Sequence, residues 1–336
     1  MTPEITDSLS GKTLLVTGAT GLIGSALVRR LMDIPKARVI AAGRDEQKLK
    51  ATFRTYSGNT NLSFLPLADM NRPLPADLPR LDAVFHAAAL ISRDAIAKTP
   101  VDVIATSLFA LKNLMDFLVK QKEQGAGARL VVFSSATVYG NKTSGDIVVG
   151  ENDTSIADAL EHGNAPYSES KRMAEVLARA YAKQFGLDVV IARPSWVYGD
   201  SPFPNLGTAV FEFIRTALES KDIVLNGTGF SRRDNIHVDD VVSGLLLLLE
   251  QGKTGEAYNI STAGALGSFA AIDEIAGVIA AIARENLRHD VKVVHKAGVS
   301  TTRNPGIICD NTKLKALGWA PAVSLQEGLA RMIQSR

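Results

Sequence analysis

Residues 12–30 read KTLLVTGATGLIGSALVRR and restrict the fold more than any other stretch of the chain. Thr13 to Thr17 is a short β-branched apolar run, the pattern of a strand buried on both faces. Gly18, Gly21 and Gly24 follow, and then an apolar-periodic helix from Ser25 to about Met32. A strand, a glycine-rich turn and a helix N-terminus together make an anion site. Backbone N–H groups point outward, the helix dipole favours negative charge, and glycine lets a pyrophosphate come close. The spacing is Gly-x-x-Gly-x-x-Gly rather than the commoner Gly-x-Gly-x-x-Gly. Its place between strand and helix predicts dinucleotide binding rather than a plain turn.

The same alternation continues downstream. Strands are expected at 38–42, 62–66, 83–86, 130–133 and 188–192, with long helices at 101–122 and 166–185. Strands alternating with helices predict a doubly wound parallel α/β sheet, Rossmann-like, with its ligand beyond the carboxyl ends of the strands. Past residue 198 the pattern loosens. A helix around the aliphatic run 245–249 and a strand at 256–260 read as a return to the main sheet. The cofactor domain is therefore expected over 1–195 with segments around 230–262. A smaller interleaved α/β substrate lobe takes 196–229 and 263–336.

Bulk properties exclude several classes. At 336 residues with 46% hydrophobic content the chain has ample core for one large domain or two unequal lobes. A net charge of +2 without a basic run argues against nucleic-acid and anionic-membrane partners. Cys309, the single cysteine, suits a reducing cytoplasm, and no signal or membrane-spanning pattern is seen. His162, His289 and His295 have no metal-ligand spacing with Cys309 or one another, so no metal is expected. His237 reads as structural, and Asp239 and Asp240 as caps for the next helix.

The chemistry lies in YSESK at 167–171, which puts Tyr167 and Lys171 on one face of a helix. A phenol has a pKa of about 10, too high for a base near neutrality. An ammonium beside it, with a cationic nicotinamide ring, would lower that value. Tyr167 would then take a proton from an alcohol, or give one to a ketone, as hydride moves. Ser135, at the end of the strand before this helix, would hold the same substrate oxygen.

GATGLIG (18–24), HAAA (86–89), SSATVYG (134–140) and the Tyr167–Lys171 pair resemble the extended short-chain dehydrogenase/reductases, in particular the epimerase/dehydratase branch that modifies nucleotide sugars. RDNIHVDD (233–240), GEAYNI (255–260) and LGWAP (317–321) carry the resemblance over nearly the whole chain. It implies Ser135, Tyr167 and Lys171 as the catalytic set. It places Gly18, Thr20, Gly21, Leu22, Ile23 and Gly24 on the cofactor pyrophosphate, and Arg44, Asp69 and Met70 at the adenosine end. Ala87, Ala88, Ala89, Ser134 and Pro194 line the rest of the cofactor cleft, with Tyr167 and Lys171 at the nicotinamide end. Substrate would meet Ser135, Ala136, Thr137 and Trp196, with Arg233 and Arg303 on its diphosphate. The resemblance also implies a homodimer paired through the 101–122 and 166–185 helices.

Three departures refine this. Gly43 stands where NAD-specific members carry an acidic residue, and Arg44 follows, so NADP(H) is favoured with NAD(H) as the alternative. Ala136 and Thr137 replace the Asp-Glu pair of 4,6-dehydratases and cannot supply its acid/base chemistry. Trp196 and Ser107 stand where many nucleotide-sugar enzymes have asparagines. The leading expectation is reduction of a keto group, at carbon four, of a nucleoside-diphosphate sugar. The alternatives are a nucleotide-sugar epimerase with a tightly held cofactor, a reductase of non-nucleotide carbonyls, and a non-catalytic dinucleotide sensor.

Overall fold

The computed structural model describes residues 7–140, 145–153, 162–201, 209–225, 232–296 and 306–335. Seven strands form the main sheet: β1 (Thr13–Thr17), β2 (Arg38–Gly43), β3 (Leu62–Pro66), β4 (Ala83–His86), β5 (Arg129–Phe133), β6 (Asp188–Pro194) and β7 (Ala257–Ile260). All pairings are parallel, in the order β3-β2-β1-β4-β5-β6-β7. The order reverses between β1 and β4, so their carboxyl ends flank the crevice in which a doubly wound sheet binds its ligand.

Side chains alternate across this sheet, and both faces are covered. Leu14 and Val16 of β1, with Phe85 of β4, join a core under helices α1 (Leu22–Met32) and α4 (Val238–Gln251). Leu15 and Val84 face the other core, under α2 (Pro100–Glu123) and α3 (Ala165–Phe185). The expected strands fall where the sequence places them, and 257–260 does pair with β6 at the sheet edge.

A second sheet covers the carboxyl side. Arg233–His237 is its centre, flanked by Trp196–Tyr198, Phe269–Ala270 and Ile307–Cys309, with Ile147–Val149 beyond the last. Interleaving runs in both directions. The 147–149 strand leaves the first half of the chain to join this sheet, while Leu314 and Trp319 from the tail pack into the core beneath α1 and α4. A separate apolar core joins the helices Ala209–Leu218, Ile272–Ile282 and Leu325–Gln334. The loop expected at 202–207 and the turn at 226–229 lie outside the described residues. Among the described residues no helix is long and apolar enough to cross a membrane.

Candidate active site

The glycine loop is shaped by close approach. Gly18 has φ +66°, and a Cβ there would stand 2.8 Å from the carbonyl of Ala87. A Cβ on Gly24 would lie 2.3 Å from the Gly18 oxygen. The turn after β1 thus closes directly onto the end of β4, where Ala88 also donates its N–H to Thr17 Oγ1 at 3.3 Å. Gly21 is the N-cap of α1; no side chain caps the helix and its first turn holds no acid. The N–H groups of the first turn, at Leu22 and Ile23, therefore present donors and positive dipole to the crevice, a cradle that fits a dinucleotide pyrophosphate. Thr20 flanks this turn, half-buried. Arg44 is exposed just past β2. Asp69 and half-buried Met70 follow β3, the Asp69 carboxylate accepting the Asn71 N–H at 2.9 Å and facing Arg72 Nε at 3.4 Å. Ala89 follows β4, half-buried, and Pro194 ends β6, buried.

At the other end, β5 delivers Ser134 and Ser135. Ser135 starts a short helical turn, its Oγ accepting the Thr137 N–H at 3.2 Å. The first turn of α3 brings the Tyr167 hydroxyl into a hydrogen bond with that Ser135. Lys171, one turn on, is 6% exposed. It donates to the Phe133 carbonyl at 2.7 Å, and its Nζ lies 5.9 Å from the Tyr167 ring centroid. One of three ammonium donors is used, leaving two for a ligand. Ser135, Tyr167 and Lys171 are brought together as the sequence implies.

Their electrostatics differ from the expectation. Burial holds the Tyr167 phenol above its ordinary 10.0, with only the Ser135 hydrogen bond pulling it down. The same desolvation lowers Lys171 to about 8, against the opposing pull of Glu175. An ammonium in the site does not by itself make the phenol a phenolate, because the site disfavours both charges. Behind Lys171, burial and the lysine charge lower His86 to about 3. His86 Nδ1 lies 3.0 Å from Thr17 Oγ1, and its buried Nε2 has no partner among the described residues.

Trp196 and Arg233 lie on paired strands of the second sheet. Trp196 packs against the cluster holding Ala136, and the Arg233 guanidinium lies 5.6 Å from its ring centroid. Among the described residues Arg233 has no carboxylate within ion-pair distance, and burial with the charge of Arg93 lowers its pKa. Among the described residues Thr137 Oγ1 and Ser195 Oγ are buried without partners. Arg303 lies outside the described residues. Ser107 is buried in α2, bonded to the Val103 carbonyl at 2.8 Å and to Ser170 Oγ at 3.3 Å.

One expectation is corrected nearby. Asp239 and Asp240 do not cap α4; His237 is the N-cap, its Nδ1 accepting the Asp239 N–H at 3.3 Å. Asp240 instead accepts the N–H groups of Ala322 and Val323 at 2.9 and 3.0 Å, tying the tail to the helix. Sequence reasoning also missed a buried charged network. Glu175, 3% exposed, accepts Ser134 Oγ at 2.5 Å and both forks of Arg193 at 2.8 and 2.7 Å. Arg193 donates onward to Tyr139 Oη and the Glu151 carbonyl, each at 2.9 Å, and Tyr139 donates to Asn259 at 2.6 Å. An arginine continuing an apolar strand run, and a glutamate four residues past Lys171, were the available signals.

The family model described as NAD dependent epimerase/dehydratase family matches residues 14–261. The chain belongs to this family. It is an enzyme of the short-chain dehydrogenase/reductase superfamily, with the Rossmann-like sheet of its relatives. UDP-glucuronic acid decarboxylase 6 of Arabidopsis thaliana is 30% identical over 327 residues, covering 96% of this chain and 88% of that one. A dTDP-4-dehydro-6-deoxy-D-allose reductase of a Streptomyces species is 30% identical over 82% of each chain. Among solved structures, UDP-glucuronic acid 4-epimerase of Bacillus cereus, in complex with UDP-glucuronic acid and NAD, superposes with a TM-score of 0.76 at 25% identity, covering 96% of this chain and 99% of that one.

Proposed function

We propose that the enzyme reduces a keto group, at carbon four, of a nucleoside-diphosphate sugar, using NADP(H). The observation that supports this best is the protonated Tyr167, hydrogen-bonded to Ser135 in a desolvated site, because a neutral phenol is an acid ready to donate. The nicotinamide cofactor supplies the hydride when bound. Ser135 holds the carbonyl oxygen in line, and Tyr167 Oη gives it the proton. Lys171 steadies the resulting phenolate and directs its two remaining N–H groups to the cofactor ribose. The first-turn N–H groups of α1 hold the pyrophosphate, and Asp69 and Met70 border the adenine.

Cofactor choice rests on Gly43 and Arg44. Gly43, not an acid, ends β2, the nearby Asp45 carboxylate is used to cap the next helix, and among the described residues Arg44 has no ion-pair partner, so it can bind a 2′-phosphate bidentately. Arg44→Asp is expected to move preference toward NAD(H) by at least about tenfold, a change of roughly 1.4 kcal/mol in differential binding. The second lobe is the substrate lobe in this reading. Trp196 stacks on the sugar, Ala136 and Thr137 border it, and Arg233 with Arg303 takes the diphosphate. The single buried cysteine fits a cytoplasmic setting.

Two copies pair through α2 and α3 in this reading. Val101, Phe109, Met173 and Val176 are exposed on these two packed helices, at 75%, 55%, 52% and 57%, an apolar face of the kind that pairing buries. An epimerase is the second reading, favoured by the likeness to the Bacillus cereus 4-epimerase; it uses the same residues with retained cofactor.

The test of the substrate class is a thermal-shift screen in saturating NADP+ with UDP, dTDP, GDP, CDP and ADP added separately. A folded-state ligand raises the melting temperature with its concentration over Kd. A rise with one nucleotide is expected; no rise with any, in a protein that responds to NADP+, would leave a reductase of free carbonyl compounds.

A further inference from the structure

Glu175 is a buried carboxylate that the chemistry above does not use. It lies one turn past Lys171 on α3, so the two side chains share a helix face. Its oxygens are fully committed. Oε1 accepts Ser134 Oγ at 2.5 Å and Arg193 Nε at 2.8 Å, and Oε2 accepts Arg193 Nη2 at 2.7 Å, with Arg179 4.0 Å away at the rim. A carboxylate paired in this bidentate way has one orientation. Its first partner, Ser134, is the residue immediately before Ser135.

We propose that Glu175 is a positioning residue for the proton-transfer site: locked by Arg193, it anchors the Ser134–Ser135 end of β5 and supplies the counter-charge that keeps Lys171 an ammonium. This rests on the reading of Lys171 as the cation facing Tyr167 and the cofactor. The groups facing Lys171 permit no other source of negative charge among the described residues. From its own helix come the neutral Tyr167 and Glu175. From β5 come the Phe133 carbonyl and Ser134, and from β4 the neutral His86, backed by Thr17 of β1. Arg193 of β6, paired with Glu175, gives its remaining donor to Tyr139 and Glu151. Glu175 is the one charge that raises Lys171, against the desolvation that lowers it. Without it the lysine loses its proton earlier, and with it the means of steadying a Tyr167 phenolate.

The measurement is a titration of Lys171 by NMR in protein carrying ¹³Cε-lysine, the signal assigned with Lys171→Arg. It needs neither cofactor nor substrate, so its failure and that of the reductase reading are distinguishable. Glu175→Gln is expected to lower the Lys171 midpoint by about one pH unit or more, the scale of a close opposite charge. Glu175→Asp, which keeps the charge, is expected to restore most of it. Because Glu175→Gln strands Arg193 in a buried site, the double variant Glu175→Gln/Arg193→Gln is read alongside and is expected to show a fall in the same direction, smaller because the Arg193 charge that repels the ammonium goes with it. A Lys171 midpoint unchanged in either folded neutral variant overturns the proposal. So does a fall in Glu175→Asp as large as in Glu175→Gln, which would mark a packing effect.

Discussion

Lys171 and His86 sit close together beneath the carboxyl ends of β4 and β5, and burial disfavours the charged form of both. Their consequences for stability follow from proton counting. His86 titrates near 3 in the fold against 6.5 when exposed, so between those values the unfolded chain binds more protons. The fold is then fully favoured above pH 6.5 and loses about 1.4 kcal/mol for each unit the pH falls below it. Urea unfolding at descending pH checks this: His86→Gln is expected to flatten the acid slope, and an unaltered slope would exclude His86 as its source. Lys171, at about 8 against 10.5, acts the same way higher up. Stability gains from losing that proton between 8 and 10, while activity is expected to fall over the same range as the ammonium disappears. Tyr167→Phe is expected to reduce turnover by about 10²–10⁴-fold, the worth of a placed general acid, without lowering Tm. Ser135, Tyr167 and Lys171 were legible because their spacing has a chemical reason. The raised phenol was not, since desolvation depends on what closes over the site.

At the level of elements, the glycine loop and the strand ends do most of the positioning. Gly18→Ala meets both a positive φ and the Ala87 backbone, and Gly24→Ala meets the Gly18 carbonyl. Each is expected to destabilise by about 1–3 kcal/mol and to abolish the thermal response to NADP+; a variant that keeps both would show that the turn adapts. The main-sheet strands were legible because each is a β-branched or apolar run bounded by turn residues. The strands at 147–149, 223–225, 293–295 and 307–309 were not: three residues each are too few to show a period of two. They are held by their neighbours, as where the Asp146 carboxylate accepts the Gly306 N–H at 2.7 Å beside the 147–307 pairing. The Glu175–Arg193 pair was hidden for a related reason. Its partners are 18 residues apart on different elements, and only the packing of α3 on β6 reveals them.

At the level of the whole molecule, Trp196 and Arg233 both belong to the second sheet, so the proposed reading builds the site between the main sheet and this one. The apolar face of α2 and α3 is the most direct handle on assembly. If two copies pair as proposed, Val176→Glu with Phe109→Glu is expected to turn a dimer into a monomer by sedimentation, and an unaltered oligomeric state would exclude this face as the interface. The reaction itself is decided by stoichiometry. The measurement is NADPH absorbance followed beside product formation, with the protein given a 4-keto nucleotide sugar carrying the base found in the thermal-shift screen. One NADPH consumed per product, lost in Tyr167→Phe, is the expected result. With the corresponding 4-hydroxy nucleotide sugar offered in place of the ketone, formation of its C4 epimer with no net change in NADPH would contradict net reduction and make the protein an epimerase.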